Sequence, residues 1–130
     1  MSPQEEQGMN MINWIELPVR DMSRAKTFYE TVLGVALTVQ EMDGWRMATF
    51  PFEKDQPGTS GGLIESKGYI PTREGPVIYF TVPNIDTVLE KVTQYGGRVV
   101  LPKRDIGEHG FMAHVVDTEG NRVGLHMFKR

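Results

Sequence analysis

An internal repeat constrains the fold of this chain more than any other feature. The segment INWIELPVRDMSRAKTFYETVLGV (12–35) aligns with GPVIYFTVPNIDTVLEKVTQYGGRV (75–99), and one shift of 63 positions (82 − 19) places Val19 on Val82 and Gly34 on Gly97. Further along, WRMATFP (45–51) aligns with GFMAHVV (110–116), and GGLI (61–64) aligns with VGLH (123–126). Matches in the same order predict two copies of one supersecondary unit around a shared core.

Each copy is predicted to run strand, helix, strand, strand, strand. Apolar residues alternate in the first strands, at Ile15 and Leu17 and again at Ile78, Phe80 and Val82, as in half-buried strands. The residues with helical spacing that follow are Ala25, Phe28, Tyr29 and Val32 in the first copy, and Val88, Leu89 and Val92 in the second.

Capping residues are expected at the helix ends. Ser23 and Asp86 are the predicted N-caps, and Gly34 and the Gly96-Gly97 pair suit helix C-termini that need positive φ. The predicted fold is therefore α+β, with two βαβββ modules over about 10–66 and 75–130 in a single domain. The linker between them (66–75) is rich in Gly, Pro and charge, and residues 1–9 are expected to form a polar tail.

Composition narrows the possible partners and location. The chain has no cysteine, which excludes disulfides, thiolate metal sites and a cysteine nucleophile. The net charge of −3 gives no basic face for nucleic acid or an anionic membrane. No apolar run is long enough to span a bilayer, and the first residues lack a signal-peptide pattern. We expect a cytoplasmic protein without nucleic-acid or membrane partners.

Two motifs resemble those of the vicinal oxygen chelate superfamily, which includes glyoxalase I, bleomycin-resistance proteins, extradiol dioxygenases and fosfomycin-resistance enzymes. ELPVRDMSRAKTFYETVLG is similar to the family pattern V-x-D-x-x-R-A-x-x-F-Y-x-x-x-L-G, and HVVDTEGNRVGLH is similar to D-P-x-G-N-x-x-E-L. The resemblance covers nearly all of 11–128. It implies paired modules whose mixed sheets curl into a cup, often completed by a homodimer, and it leaves the activity open because the family hosts many.

The resemblance also implies where a metal would bind. Metal-dependent members take ligands from the first and last strands of each module, and the matching positions here are Trp14, Gly62, Val77 and Gly124. None of these side chains ligates a hard divalent metal. We therefore expect no cofactor, with a displaced divalent metal site at Glu16, His114 and His126 as the alternative.

The two glycines have two interpretations. Without side chains at Gly62 and Gly124, the floor of the cup is open for a ligand or for Trp14. Alternatively, the glycines only relieve crowding where the sheet curls.

Strand alternation predicts which side chains face the cup. Ile15, Leu17, Ala48, Phe50, Ala113 and Val115 are expected to face the helices. The residues expected on the cup side are Trp14, Glu16, Trp45, Met47, Thr49, Ile64, Val77, Tyr79, Thr81, Met112, His114 and His126. This lining is aromatic and Met-rich with few polar groups, which suits a small, partly aromatic organic ligand.

Three functions are compatible with this lining. The favoured one is a metal-free small-molecule-binding protein, whose ligand-binding residues are Trp14, Glu16, Trp45, Met47, Gly62, Val77, Tyr79, Met112, His114, Gly124 and His126. The alternative is an enzyme of the lyase, isomerase or dioxygenase type, with Glu16 as the candidate acid–base residue. The third is an interaction module whose cup is filled by its own side chains. The loops at 53–62 and 103–111 are candidate lids over a ligand.

Overall fold

The computed structural model describes residues 11–129 apart from 54, 56 and 57, so the predicted tail lies outside the described residues. The first module contains β1 (Trp14–Pro18), α1 (Met22–Leu33), β2 (Thr38–Met42), β3 (Trp45–Thr49) and β4 (Ser60–Ser66). The second contains β5 (Tyr79–Thr81), α2 (Ile85–Gln94), β6 (Arg98–Asp105), a 3₁₀ turn (Gly107–His109), β7 (Phe111–Val116) and β8 (Arg122–Met127). The predicted α+β fold with two βαβββ modules is confirmed.

The two modules have the same strand order. One four-stranded sheet runs β1-β4-β3-β2 and the other runs β5-β8-β7-β6. In each sheet the first strand pairs in parallel with the last, and the remaining pairs are antiparallel. Glu16 lies opposite Gly62, and Tyr79 lies opposite Gly124. The shift is 63 positions for the first strands (79 − 16) and 62 for the glycines (124 − 62), so the repeat holds in three dimensions as well as in sequence.

The helix ends differ in part from the expectation. The N-caps are Asp21 and Asn84, whose side chains accept hydrogen bonds from the backbone N–H groups three residues later. The prediction of Ser23 and Asp86 was wrong, because both helices begin earlier and these residues lie inside the first turn. Gly34 ends α1 in the left-handed conformation with a φ of 68°, as predicted.

Both helices and both sheets contribute to one hydrophobic core. Of the residues predicted to face the helices in the first and third strands, Leu17, Ala48, Phe50, Ala113 and Val115 are members of it. Ile15 is not a member and lines an apolar crevice instead. The rings of Phe50 and Phe80 lie 5.4 Å apart, so the modules meet through the helix-facing sides of their sheets. Met47 and Ile64 are buried but lie outside this core, as expected for the opposite face. We call this opposite face of each sheet its cup face.

The turn between β7 and β8 joins the two modules through three polar side chains, Asp117, Glu119 and Asn121, which we call the clasp. The Asn121 amide donates to the Pro18 carbonyl over 2.7 Å and accepts from the Thr72 N–H over 3.1 Å. The Tyr29 hydroxyl, on α1, donates to Asp117 over 2.5 Å. These contacts hold the second module against the end of β1 and against α1.

Glu119 carries the ionic part of the clasp. Its buried carboxylate accepts from the backbone N–H groups of Arg20 and Asp21, both over 2.8 Å, and pairs with the Arg24 guanidinium over 2.7 Å. Burial alone would raise the pKa of the Glu119 carboxyl, but the hydrogen bonds from Arg24, Asp21, Thr118 and Arg20 hold that pKa below its ordinary value. The carboxylate at the start of α1 also complements the positive end of the helix.

Within the described residues, neither helix combines the length and the hydropathy needed to cross a membrane.

Candidate functional site

The cup face of the second module carries a row of three residues on adjacent strands. Tyr79 on β5 lies opposite Gly124 on β8, and Gly124 lies opposite His114 on β7. A Cβ atom at Gly124 would lie 2.4 Å from Cδ1 and Cε1 of Tyr79, so the tyrosine ring lies directly across this glycine. The Tyr79 hydroxyl reaches Nε2 of His114 at 2.6 Å. Gly124 therefore provides the space that lets Tyr79 bridge to His114.

This arrangement decides between the two interpretations of the glycines. The space above Gly124 is occupied by the Tyr79 ring, so the expectation of an open floor was wrong there. At Gly62 a Cβ atom would lie 2.7 Å from the Ala48 carbonyl oxygen, which is backbone crowding. Both glycines are required by close contacts inside the protein.

The His114 imidazole lies in a buried, electropositive setting. It is 8% exposed, and its Nδ1 accepts a hydrogen bond from Nε of Arg122 over 3.0 Å. Burial, and then the positive charge of Arg122, lower the pKa of His114 below its ordinary value. The imidazole is therefore neutral at neutral pH.

Met112 and His126 continue the same face. They lie opposite each other on β7 and β8. His126 contacts the His109 carbonyl oxygen through Nε2 at 2.6 Å, and its ring packs edge-on against Phe128 with centroids 4.5 Å apart. His109 itself is exposed. The candidate lid at 103–111 consists here of the end of β6, the 3₁₀ turn and the first residue of β7.

The cup face of the first module carries the corresponding row of three residues, with a glycine again at its centre. Glu16 lies opposite Gly62, which lies opposite Thr49. Glu16 is exposed and forms no salt bridge with another described residue. Trp14, at the start of β1, is 38% exposed and meets Phe52 edge-to-face at 6.3 Å. A Cβ atom at Gly62 would lie 3.3 Å from Cγ of Met47, whereas one at Gly124 would lie 2.4 Å from the Tyr79 ring.

Two further crevices adjoin these faces. A polar crevice of about 590 Å³ beside Trp45 is lined by Arg20, Lys67 and Tyr69 among others. An apolar crevice of about 610 Å³ lies between the edges of the two sheets, and Ile15 and Phe80 are among its lining residues. Val77 precedes β5 and lines this apolar crevice.

The four positions that the family resemblance assigns to metal ligands do not fit a divalent metal. Trp14, Gly62, Val77 and Gly124 offer no side-chain donor, and a side chain at Gly124 would collide with Tyr79. Across the described part of the chain, no group of three or more His, Cys, Asp or Glu side chains is placed to hold a metal ion. Glu16, His114 and His126 therefore do not form such a group, and Tyr79 and Arg122 already engage both nitrogens of His114.

Arg122 is the residue of this site that the sequence reasoning missed. It lies two positions before Gly124 on the same strand, so alternation places its side chain on the same face. That signal was present, but the contact with His114 depends on the register between β7 and β8, which places Arg122 opposite Val116.

Comparisons with known proteins agree with this architecture. The family model of the Glyoxalase/Bleomycin resistance protein/Dioxygenase superfamily matches residues 11–125. A protein of Mycobacterium bovis named putative glyoxylase CFP32 is 29% identical over 136 residues, which cover 100% of this chain and 50% of that protein. The same values hold for its counterpart in Mycobacterium tuberculosis, so the chain spans about half the length of these curated relatives.

Solved structures show the same fold. TnmS3, an antibiotic-binding protein from Streptomyces sp. CB03234, superposes with a TM-score of 0.69 and 23% identity, covering 94% of this chain and 98% of that one. A glyoxylase/bleomycin resistance protein/dioxygenase domain from Frankia sp. EAN1pec superposes with a TM-score of 0.71 and 18% identity, covering 94% of this chain and 100% of that one. The chain therefore belongs to the glyoxalase/bleomycin resistance protein/dioxygenase superfamily.

Proposed function

We propose that the protein binds a small, partly aromatic organic ligand against its cup faces without a resident metal. The observation that carries the proposal is the Tyr79 ring across Gly124, where the family resemblance places an acidic metal ligand. An aromatic ring in that position presents a flat apolar surface with a polar tip, and Trp14 adds a second partly exposed ring. The antibiotic-binding function of TnmS3 supports the proposal, because its fold is similar to this one.

We further propose that two copies of the chain enclose the ligand, in the cytoplasm. The cup faces are turned away from the shared core, and Trp14 and Tyr79 are 38% and 47% exposed on them. Each face therefore lacks an opposing wall within its own module. A second copy would supply one and bury these rings, as pockets that bind drug-sized molecules cover most of the ligand.

The ligand-binding proposal predicts little metal and a thermal shift with flat aromatic compounds. Untagged protein purified without added metal or chelator is expected to carry less than about a tenth of an equivalent of any transition metal, measured by mass spectrometry. Fluorenone, a flat aromatic ketone, is expected to raise the melting temperature, since a ligand at about 100 times its Kd stabilises the native state by about 2.7 kcal/mol.

The Trp14→Ala variant tests whether this thermal shift comes from binding at the cup face. Tyr95→Ala is its control, because it removes an exposed ring at the end of α2. Only the Trp14 variant should lose the shift. Near-stoichiometric iron, zinc, nickel or manganese would contradict the metal-free part of the proposal. A shift of equal size in both variants would contradict the placement of the ligand on the cup face.

The proposal of two copies predicts a dimeric mass in light scattering coupled to gel filtration. Tyr79→Asp and Trp14→Asp, which place a charge on the exposed rings, should shift the mass towards that of the 14.7 kDa chain. Tyr95→Asp is the matched surface control and should leave the dimer intact. A monomeric wild-type protein at micromolar concentration would rule out the enclosing second copy.

An enzyme is the second candidate, and the similarity to putative glyoxylase CFP32 over the full chain favours it. The exposed carboxylate of Glu16 is the candidate acid–base group. Turnover of a carbonyl substrate in the presence of a chelator, lost in Glu16→Gln, would establish this function in place of simple binding.

A further inference from the structure

The hydrogen bonds along Arg122, His114 and Tyr79 can run in only one direction. A guanidinium has donors and no acceptor, so Nε of Arg122 donates to Nδ1 of His114 over 3.0 Å. Nδ1 must then present its lone pair, and the proton of the neutral imidazole lies on Nε2. Nε2 therefore donates to the Tyr79 oxygen at 2.6 Å.

This direction determines which groups the hydroxyl proton of Tyr79 can bind. The Tyr79 oxygen accepts from His114, so its own O–H is not used in this contact and is free to donate to another group. Tyr79 is 47% exposed, and its hydroxyl sits on the cup face. A chain of donors that begins at a cation polarises each bond along it, which strengthens the last donor.

We infer that the Tyr79 hydroxyl is a fixed hydrogen-bond donor for a carbonyl or anionic oxygen on the ligand. This inference rests on the proposed binding function and names its ligand class, a flat aromatic molecule with an acceptor oxygen at its edge. His114 and Arg122 are positioning residues, because they fix the direction of the Tyr79 hydrogen bond without reaching the ligand. Gly124 contributes to the same arrangement, since the absence of a side chain there leaves space for the Tyr79 ring.

The first test measures the tautomer of His114 in the protein without ligand. Long-range ¹H–¹⁵N NMR of His114 is expected to show the Nε2–H tautomer alone at neutral pH. In Arg122→Met the Nδ1 atom loses its donor, and a population of the Nδ1–H tautomer should appear. A wild-type spectrum of the Nδ1–H form, or no change in the variant, would overturn the inference whatever the ligand.

The second test compares fluorenone with fluorene, which have the same ring skeleton and differ in one carbonyl oxygen. Equilibrium dialysis gives the ratio of their two dissociation constants, which cancels the shared contribution of the rings. Tyr79→Phe should reduce the preference for fluorenone about three- to tenfold, the effect of one hydrogen bond. Tyr95→Phe alters a tyrosine of the same 47% exposure and should leave the ratio unchanged.

The outcomes distinguish the donor role of Tyr79 from the proposed binding of an aromatic ligand. A ratio that Tyr79→Phe does not change would overturn the donor role while leaving the aromatic binding function in place. No binding of either compound to the wild-type protein would overturn both the binding function and the ligand class inferred from it.

Discussion

Asp117→Ala is expected to destabilise the protein by about 3–5 kcal/mol, because it strips the partner from several buried donors at once. The Asp117 carboxylate is 4% exposed and accepts from the backbone N–H groups of 119, 120 and 121, all at 2.8–2.9 Å. It also accepts from the Asn121 amide and the Tyr29 hydroxyl. Tyr29 is buried, and burial followed by the Asp117 charge raises its pKa well above the ordinary value, so it stays a donor.

Chemical denaturation of the variant against wild type measures this loss. Asp117→Asn keeps the shape of the side chain but loses the charge, and should cost less than Asp117→Ala. Asp86→Ala removes an exposed carboxylate that pairs with Lys103 and should cost less than about 1 kcal/mol. If Asp117→Ala also costs less than about 1 kcal/mol, the clasp does not hold the modules together as described.

Gly124→Ala has the second largest expected effect, and its sign depends on Tyr79. In wild type the new methyl group collides with the Tyr79 ring, and the overpacking should cost about 1–3 kcal/mol. The displaced ring also loses its contact with His114, so the variant should lose the preference for fluorenone over fluorene. The three atoms nearest to the added Cβ all belong to Tyr79, so removing that ring removes these three contacts.

A double-mutant cycle isolates this contact. In a Tyr79→Ala background, Gly124→Ala should be neutral, or stabilising by about 0.5–1 kcal/mol, because alanine has less backbone entropy to lose than glycine. Urea denaturation of wild type, the two single variants and the double variant gives the four unfolding free energies that the cycle needs. If Gly124→Ala costs the same in both backgrounds, the crowding at Gly124 comes from the backbone and not from Tyr79.

Local periodicity in the sequence was sufficient to predict the modules and their faces. Alternation placed Leu17 and Ala113 on the helix-facing side, and helical spacing identified Phe28 and Val92 as buried. These features depend on neighbours one to four residues apart, so the order of residue types determines them. The N-caps were misplaced by two residues, because Asp21 and Ser23 both suit a cap and only the backbone shows where the helix begins.

The repeat also predicted that Gly62 and Gly124 occupy equivalent positions, which the pairing of β1 with β4 and of β5 with β8 confirms. It did not predict why either residue is glycine. The reason at Gly124 is a ring 45 positions away in sequence (124 − 79), which reaches it only after β5 and β8 pair.

The sequence by itself determined the two βαβββ modules, their strand faces and the absence of donors at the family's metal positions. Only the tertiary structure decided that Tyr79 lies across Gly124 to His114, that Arg122 fixes the tautomer of that histidine, and that Glu119 reaches the start of α1, 98 positions away. The first set follows from local spacing along the chain. The second depends on strand register and on the packing of one module against the other, where a shift of one residue would turn each of these side chains to the opposite face.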